Sequence, residues 1–493
     1  MLQWLRNLTG LGAKSAPART AQHHQVKARY DNALWTDENQ RQWWMADYLS
    51  AKAANNFQTR RMLRMRSRYE VSNNPYLFGI CNSNADDLIG TGPTLQVAGN
   101  GGKQIERAWQ DWAKEVGLVE KLRTAKLAKT VDGEGFLILK TVEDLYSSVK
   151  LYPVDVEADQ VTTPAPKNLT ELWVDGLDLH PVTGRPVAYH VLKHHPGDFY
   201  FPDLNPMKVE KIPARHVIHW FPKFRPGQVR GVPVFTPSLD LFAELRSFRK
   251  AVILNANNAA NITAVLETEA PANLQDIPAA TTNANTAGTP FDKLPIDRGM
   301  MVTTPWGAKL KQFVSSQPAT TYEMFQEKCL GEACRPLNYP LNLALGTSQK
   351  FNFSSARLDH INYRQGLLVE RADCDRIVLE AIFRAWFEEA VMVPGLLPAG
   401  AAYETCVHKW HWPGFPAMDI AAETKADIDQ LNAGTETFER FWAARGYDYQ
   451  EVLQQQAREK REIEALGLEF GEPLKKQVRI DEDEAGAEAA NAA

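Results

Sequence analysis

The chain has 493 residues, 44% of them hydrophobic and 23% charged, with a formal net charge of −5 at pH 7. That length exceeds one hydrophobic core and points to two or three packed units of a globular protein. The charge balance argues against a protein that grips nucleic acid by bulk attraction, because such domains are strongly basic. No apolar run reaches the roughly 20 residues that a membrane-spanning helix needs. The first residues, broken by Arg6 and Asn7, lack the apolar stretch of a secretory signal, so folding in a cytoplasm is expected. Cys81, Cys329, Cys334, Cys374 and Cys406 are odd in number and form no Cys-x-x-Cys pair, so free thiols are expected.

In chain order, residues 1–30 are rich in Ala, Gln and Ser and read as a flexible arm. Trp35, Trp43, Trp44 and Tyr48 follow in segments expected to be helical and partly buried. Arg60, Arg61, Arg64, Arg66 and Arg68 crowd one stretch. They could meet nucleic acid or pair with neighbouring acids. Ile105, Trp109, Trp112 and Val116, at spacings of four, three and four, predict one apolar helix face.

From Gly135 the pattern changes to strands, expected over 136–140, 149–154, 172–174, 187–192 and 216–221. Long helices do not alternate with them, so the block is α+β and not a doubly wound parallel sheet. Pro237 and Ser238 open a helix whose stripe is Leu239, Phe242, Leu245, Phe248 and Val252, fading near Asn261. Strand-like pieces at 262–267 and 300–304 flank an Ala/Thr/Asn-rich loop, and a second helix is expected over 321–334.

A polar loop at 346–354 then precedes the longest predicted helix, 355–390. Its expected buried stripe is Ile361, Leu368, Ala372, Leu379, Ile382 and Trp386. Helices are expected over 421–445 and 448–466, the second opened by a capping box of Asp448 and Glu451. The run Asp481-Glu482-Asp483-Glu484 reads as a solvated end.

Catalytic patterns are sparse. Gly12-Ala13-Lys14-Ser15 and Gly102-Lys103-Gln104 hold only part of a phosphate-loop grammar. His190, His194, His195, His216, His219, His408 and His411 sit in strand-like stretches where their spacing points to different faces, so surface or edge positions are expected, not a metal site. Asp132 and Glu134, beside glycines, could suggest acid/base or metal chemistry. A turn entering the strand at 136 explains them more simply. No Gly-x-Ser-x-Gly elbow is present. The expectation is a non-enzymatic protein without a cofactor.

Five stretches, in order, resemble the lambda family of phage portal proteins. They are Arg66-Ser67-Arg68-Tyr69-Glu70-Val71-Ser72-Asn73-Asn74-Pro75-Tyr76 with 87–93; Trp109-Gln110-Asp111-Trp112 with 132–136; and Gly184-Arg185-Pro186 through His195-Pro196-Gly197-Asp198. The fourth is Ile212-Pro213-Ala214-Arg215-His216 with Arg225-Pro226-Gly227-Gln228-Val229-Arg230-Gly231. The last is Phe353-Ser354-Ser355-Ala356-Arg357.

The resemblance implies a portal fold: an α+β wing, two helical stem segments, a small β-containing clip, a long wing helix and a helical crown. It divides the chain into an N-terminal arm with the first helices (1–70), wing (71–233), stem (234–261), clip (262–315) and second stem (316–336). Tunnel loop with long wing helix (337–415), crown (416–470) and acidic tail (471–493) complete it. It further implies a homo-oligomeric ring, usually of twelve subunits, at a capsid vertex of the virion, assembled in the host cytoplasm. Double-stranded DNA would pass through the channel during packaging and ejection. Terminase large subunit, head-completion or connector proteins and the major capsid protein would be partners, with no membrane. Lys350, Phe351, Asn352, Phe353 and Arg357 would line the channel. Asn273, Asp276, Asn283, Asn285 and Thr289 would belong to the docking clip.

Among rivals, a terminase-like packaging enzyme needs a phosphate loop and paired acids, a membrane pore needs apolar spans, and a separate head–tail connector is generally much shorter.

Overall fold

The computed structural model describes residues 36–99, 101–163, 173–198, 208–261, 265–268, 308–311, 322–349, 351–416 and 419–467. The chain divides into two units, Met1–Ser50 and Ala51–Ala493. The first contains α1 (Asp37–Gln42), capped by the Thr36 side chain. Its Trp43, Trp44 and Tyr48 are 44%, 76% and 100% exposed, against the expectation of partial burial. Among the described residues of this unit, one six-residue helix offers no second apolar layer to cover them.

The second unit begins with α2 (Ala51–Ala54), α3 (Phe57–Asn73), α4 (Pro75–Ile89), β1 (Thr94–Val97), α5 (Gly102–Glu115) and α6 (Leu118–Val131). Pro75 at the first position of α4 and Asn74 as its cap explain the break between α3 and α4. The expected face of α5 holds: Ile105, Trp109, Trp112 and Val116 are buried. Trp109 meets Phe383, Trp386 and Trp410 edge-on.

The strands are β2 (Gly135–Thr141), β3 (Leu151–Val156), β4 (Trp173–Val174), β5 (Leu177–Leu179), β6 (Pro186–Leu192), β7 (Val209–Pro213) and β8 (Val217–Trp220). Two antiparallel sheets result, in the orders β3-β2-β8 and β4-β5-β6-β7. The mixed helix-and-sheet class therefore stands. β2 is apolar on both faces for a packing reason. Leu137 and Leu139 enter the large helical core, while Phe136 and Ile138 enter a smaller core with Leu177, Tyr189 and Val191 from the other sheet.

Helices α7 (Leu239–Asn261) and α8 (Tyr322–Cys334) flank β9 (Val265–Thr268) and β10 (Ala308–Lys311), which pair antiparallel. The expected strand at 300–304 lies outside the described residues. Phe248 stacks on Tyr322 and meets Phe325 edge-on, joining α7 to α8. After α9 (Leu341–Leu345) comes α10 (Phe353–Cys374), a π-helical turn at Asp375–Leu379, and α11 (Glu380–Ala390).

That π turn corrects the expected stripe of the long helix. Leu379, Ile382 and Trp386 are buried, but Ile361 and Leu368 are each 50% exposed and Ala372 is exposed. Leu367 and Arg371 are buried in their place, one residue earlier. A π turn inserts one residue into the helical register, rotating everything upstream by about 100°. A single periodicity read along 361–386 cannot detect it.

β11 (His408–His411) pairs with β1, and α12 (Ile420–Asn432), α13 (Phe438–Ala443) and α14 (Tyr449–Leu466) follow. The helix expected over 421–445 is thus two helices. At α14 only half of the capping box forms. Asp448 accepts from the Gln450 amide, while Glu451 turns to Lys103 instead.

Candidate functional site

The loop joining α9 to α10 is the site singled out by sequence. Gly346 ends α9 with φ +67, a left-handed conformation that glycine adopts without Cβ strain. The Thr347 amide then donates to the Asn342 carbonyl at 3.1 Å, and the Phe351 amide to Ser348 at 3.2 Å. Across the base of the loop the Asn342 side-chain amide donates to His360 Nε2 at 3.1 Å. That bond requires a neutral His360 ring with its proton on Nδ1. Burial, with Arg364 nearby, lowers the His360 pKa and favours that state.

The tip stays open: Gly346, Thr347, Ser348, Gln349 and Asn352 are exposed. Asn352 holds the N-cap position of α10 but makes no side-chain cap bond, which leaves its amide for another partner. Phe351 and Arg357 are half-buried. Lys350 and the side chain of Phe353 lie outside what is described, as do Asn273, Asp276, Asn283, Asn285 and Thr289.

The arginine-rich stretch resolves into two faces of α3. Arg60, Arg64 and Arg68 recur every four residues and turn inward. Arg60 reaches Asp175 at 2.8 Å, and Arg64 reaches Glu134 at 3.1 Å and Asp159 at 2.8 Å. Arg68 clasps Asp132 through two nitrogens at 2.7 and 2.6 Å. Burial, with Arg230 adding repulsion, brings the Arg60 pKa down to about 10. Arg61 and Arg66, on the outer face, remain exposed. Three of the five arginines are therefore committed to acids inside the protein and are unavailable to nucleic acid.

Glu134 is the hub of this network and is wholly buried. It accepts from Arg230 Nε and Nη2 at 2.6–3.1 Å, from Arg64, from the Gly231 amide at 2.9 Å, and from His219 Nε2 at 3.0 Å. Burial alone would raise its pKa, but Arg230 and His219 override that and hold the carboxyl well below its ordinary value. His219 lies stacked between Phe136 and Phe221 and stays neutral, because burial outweighs the pull of Glu134. Its Nδ1 then accepts from the Tyr189 hydroxyl at 3.3 Å.

Two glycines make the hub possible. A Cβ on Gly133 (φ +89) would sit 2.2 Å from the Val232 carbonyl carbon, and one on Gly231 would sit 2.0 Å from the Gly133 oxygen. The sequence stretches 132–135 and 230–233 are thus packed backbone against backbone. Nothing in either stretch alone discloses that Glu134 and Arg230 are partners. A buried carboxylate with every lone pair satisfied by cations and amides is a structural clamp and has no vacant position for a substrate.

The histidine expectations need correcting at two places. His190 is buried and bonded to Asp178 at 2.9 Å, and His219 is interior as described; neither is at the surface. β6 and β8 each carry a core-facing histidine because a polar partner waits at each position. Among the described residues two clusters have metal-like geometry: Glu157, Asp159 and His195, and Glu106, Asp448 and Glu451. A protein cation already sits among each set. Arg68 touches Glu157 at 3.2 Å and Asp159 at 2.8 Å, and the Lys103 ammonium lies 2.6–3.0 Å from all three carboxylates of the other. Lys103, part of the incomplete phosphate-loop pattern, is thereby committed to carboxylates. All five cysteines are free thiols, and burial pushes Cys81 up to about 12. No helix among the described residues is long and apolar enough to cross a membrane.

The sequence signature described as phage portal protein, lambda family, matches residues 37–371. Portal protein B of Escherichia phage lambda is 22% identical over 453 residues, covering 81% of this chain and 83% of that protein. The portal protein of Escherichia phage N15 is 34% identical over 95 residues, 18% of each chain. Among solved structures, a chain from the neck of a native gene transfer agent particle, computed with C12 symmetry, aligns with a TM-score of 0.44 and 14% identity. It covers 76% of this chain and 89% of that one.

Proposed function

The chain belongs to the lambda family of phage portal proteins, and from that premise we propose that it closes head-to-tail into a ring, of twelve copies, at one capsid vertex. Double-stranded DNA would pass through this ring during packaging and ejection. The family is structural, and the site geometry offers no reason to favour a terminase-like enzyme.

The observation that carries the ring is the apolar surface a single chain leaves uncovered. Leu358, Ile361, Leu368 and Val369 line an outer face of α10 at 50–64% exposure. On the α7/α8 pair, Ile253, Leu254, Met324 and Phe325 are 50–62% exposed. Two such patches on different elements suit heterologous association, in which one surface of each copy meets another surface of the next. Electron microscopy of the purified protein tests this directly. Rings with a central hole are expected, and monodisperse monomers at micromolar concentration would refute the reading.

Within the ring, α7 and α8 would be the stem helices and residues 262–315 the clip, docking the terminase large subunit and later the connector proteins. The 346–352 loop would project into the channel, braced by Phe351 and by Phe353 at the start of α10, with Lys350, Asn352 and Arg357 toward the DNA. The exposure of the loop tip and the fixed Asn342–His360 base support that assignment. A conduit needs shallow, repeated phosphate contacts and no base readout, and a ring multiplies one lysine into a charged collar.

Lys350→Glu should therefore leave ring formation intact and reduce DNA packaged or retained in particles. The loss should be largest at low salt, where phosphate contacts are strongest. Full, stable particles in normal yield from that variant would remove Lys350 from the DNA path.

A further inference from the structure

A broad concavity lies away from the loop, beside the β4-β5-β6-β7 sheet. It is a groove of about 920 Å³ between the 183–186 turn, the 221–229 segment and the π turn at Asp375–Leu379. Four cations line it, Arg185, Lys223, Arg225 and Arg376, with 65%-exposed Phe224 at its edge. The one lining carboxylate, Asp373, is already held by Arg376 at 2.8 Å. Neither Arg185 nor Lys223 pairs with a carboxylate among the described residues.

Both walls are pre-built. The buried Gln228 side chain accepts from the Phe224 amide at 2.8 Å and donates to the Arg230 carbonyl at 2.9 Å, pinning the segment that carries Lys223 and Arg225. On the other wall, His180 Nδ1 accepts from the Val182 and Thr183 amides, and the Gly184 amide donates to the His180 carbonyl at 2.8 Å. Cations presented on fixed backbone lose little entropy when an anion arrives.

We propose that this groove binds the acidic tail of this same polypeptide, Asp481-Glu482-Asp483-Glu484 with Glu488. Charge complementarity argues for it, since Arg185 and Lys223 enter the groove without a carboxylate partner among the described residues and the tail holds five acids within eight residues. Val478 and Ile480, just before the acidic run, supply apolar side chains for Phe224. Residues 468–480 reach up to about 45 Å when extended, and tethering raises the effective concentration of the tail to about the millimolar range. The concavity favours a peptide over duplex DNA, whose stiff convex backbone is met by exposed cations and not by a recess. Occupied in this way, the groove would be screened from stray nucleic acid. This inference does not depend on the portal reading.

The test uses the full chain carrying Phe224→p-benzoylphenylalanine, irradiated and mapped by mass spectrometry. Crosslinks to residues 478–488 are expected. They should weaken about fivefold in Arg185→Glu/Lys223→Glu, and similarly when Asp481, Glu482, Asp483 and Glu484 become amides or when salt is raised. These positions are exposed or terminal, and circular dichroism of each variant verifies an unchanged fold. Crosslinks confined to other segments, or undiminished in the charge variants, would overturn the proposal. So would capture of an added DNA duplex with the tail left unlabelled, which would make the groove a phosphate-binding surface.

Discussion

Glu134→Ala is expected to destabilise the second unit by about 5 kcal/mol, the upper end for breaking a buried ion cluster. The substitution strands the buried Arg230, whose one carboxylate partner among the described residues is Glu134, together with the Gly231 amide and the His219 Nε2 proton, and leaves Arg64 with Asp159 alone. The cost comes less from the lost attraction than from a guanidinium at Arg230 that can neither reach water nor find another acid. Urea titration of purified protein measures it, with insoluble expression as the extreme form of the same result.

A milder pair keeps the test quantitative. Glu134→Gln and Arg230→Met should each be costly alone, yet together cost clearly less than their sum, because the double variant removes charge from both sides. Additive losses would mean that the two side chains act through packing and not through each other.

The second large effect concerns Glu370 on α10. Its Oε1 takes the Lys126 ammonium at 2.7 Å and the Lys129 ammonium at 2.5 Å, both reaching across from α6. Burial would raise its pKa, but the two lysines bring it down to about 2 from an ordinary 4.5. Lys126 moves downward as well, because its complete burial outweighs what the shared carboxylate returns. The carboxylate's contribution is therefore present above about pH 4.5 and is lost as pH falls toward about 2.

Glu370→Gln should cost about 3 kcal/mol at pH 7, leaving two buried ammoniums to repel each other. The gap between variant and wild type should then close as unfolding is measured at successively lower pH down to 2. A gap that stays constant with pH would assign the effect to packing of the amide and not to charge.

What the amino-acid order determined by itself was local or periodic. The continuous apolar run of β2, the spacing of Ile105, Trp109, Trp112 and Val116 in α5, and the turn at Pro237 that leads into α7 each depend on residues within a few positions of one another. The α+β class follows from the same signals, and the ordered stretches resembling portal proteins carried the family. A short strand escaped: β1 reads Thr-Leu-Gln-Val, and only pairing with β11, more than 300 residues later, makes it a strand.

Tertiary structure alone decided which arginines are inside. Arg60, Arg64 and Arg68 find their acids between 64 and 115 residues away; their four-residue spacing puts them on one helix face, but nothing local says that this face is the inner one. It also decided the face of the long helix, where the π turn at Asp375–Leu379 shifts the buried stripe from Leu368 and Ala372 to Leu367 and Arg371. Arg371 can lie in that stripe because it donates to the Leu88, Asp87 and Pro413 carbonyls. The physical reason is common to both cases. Burying a charge is permitted or forbidden by partners that folding brings together, whereas burying a methyl group needs only a neighbour that is also apolar.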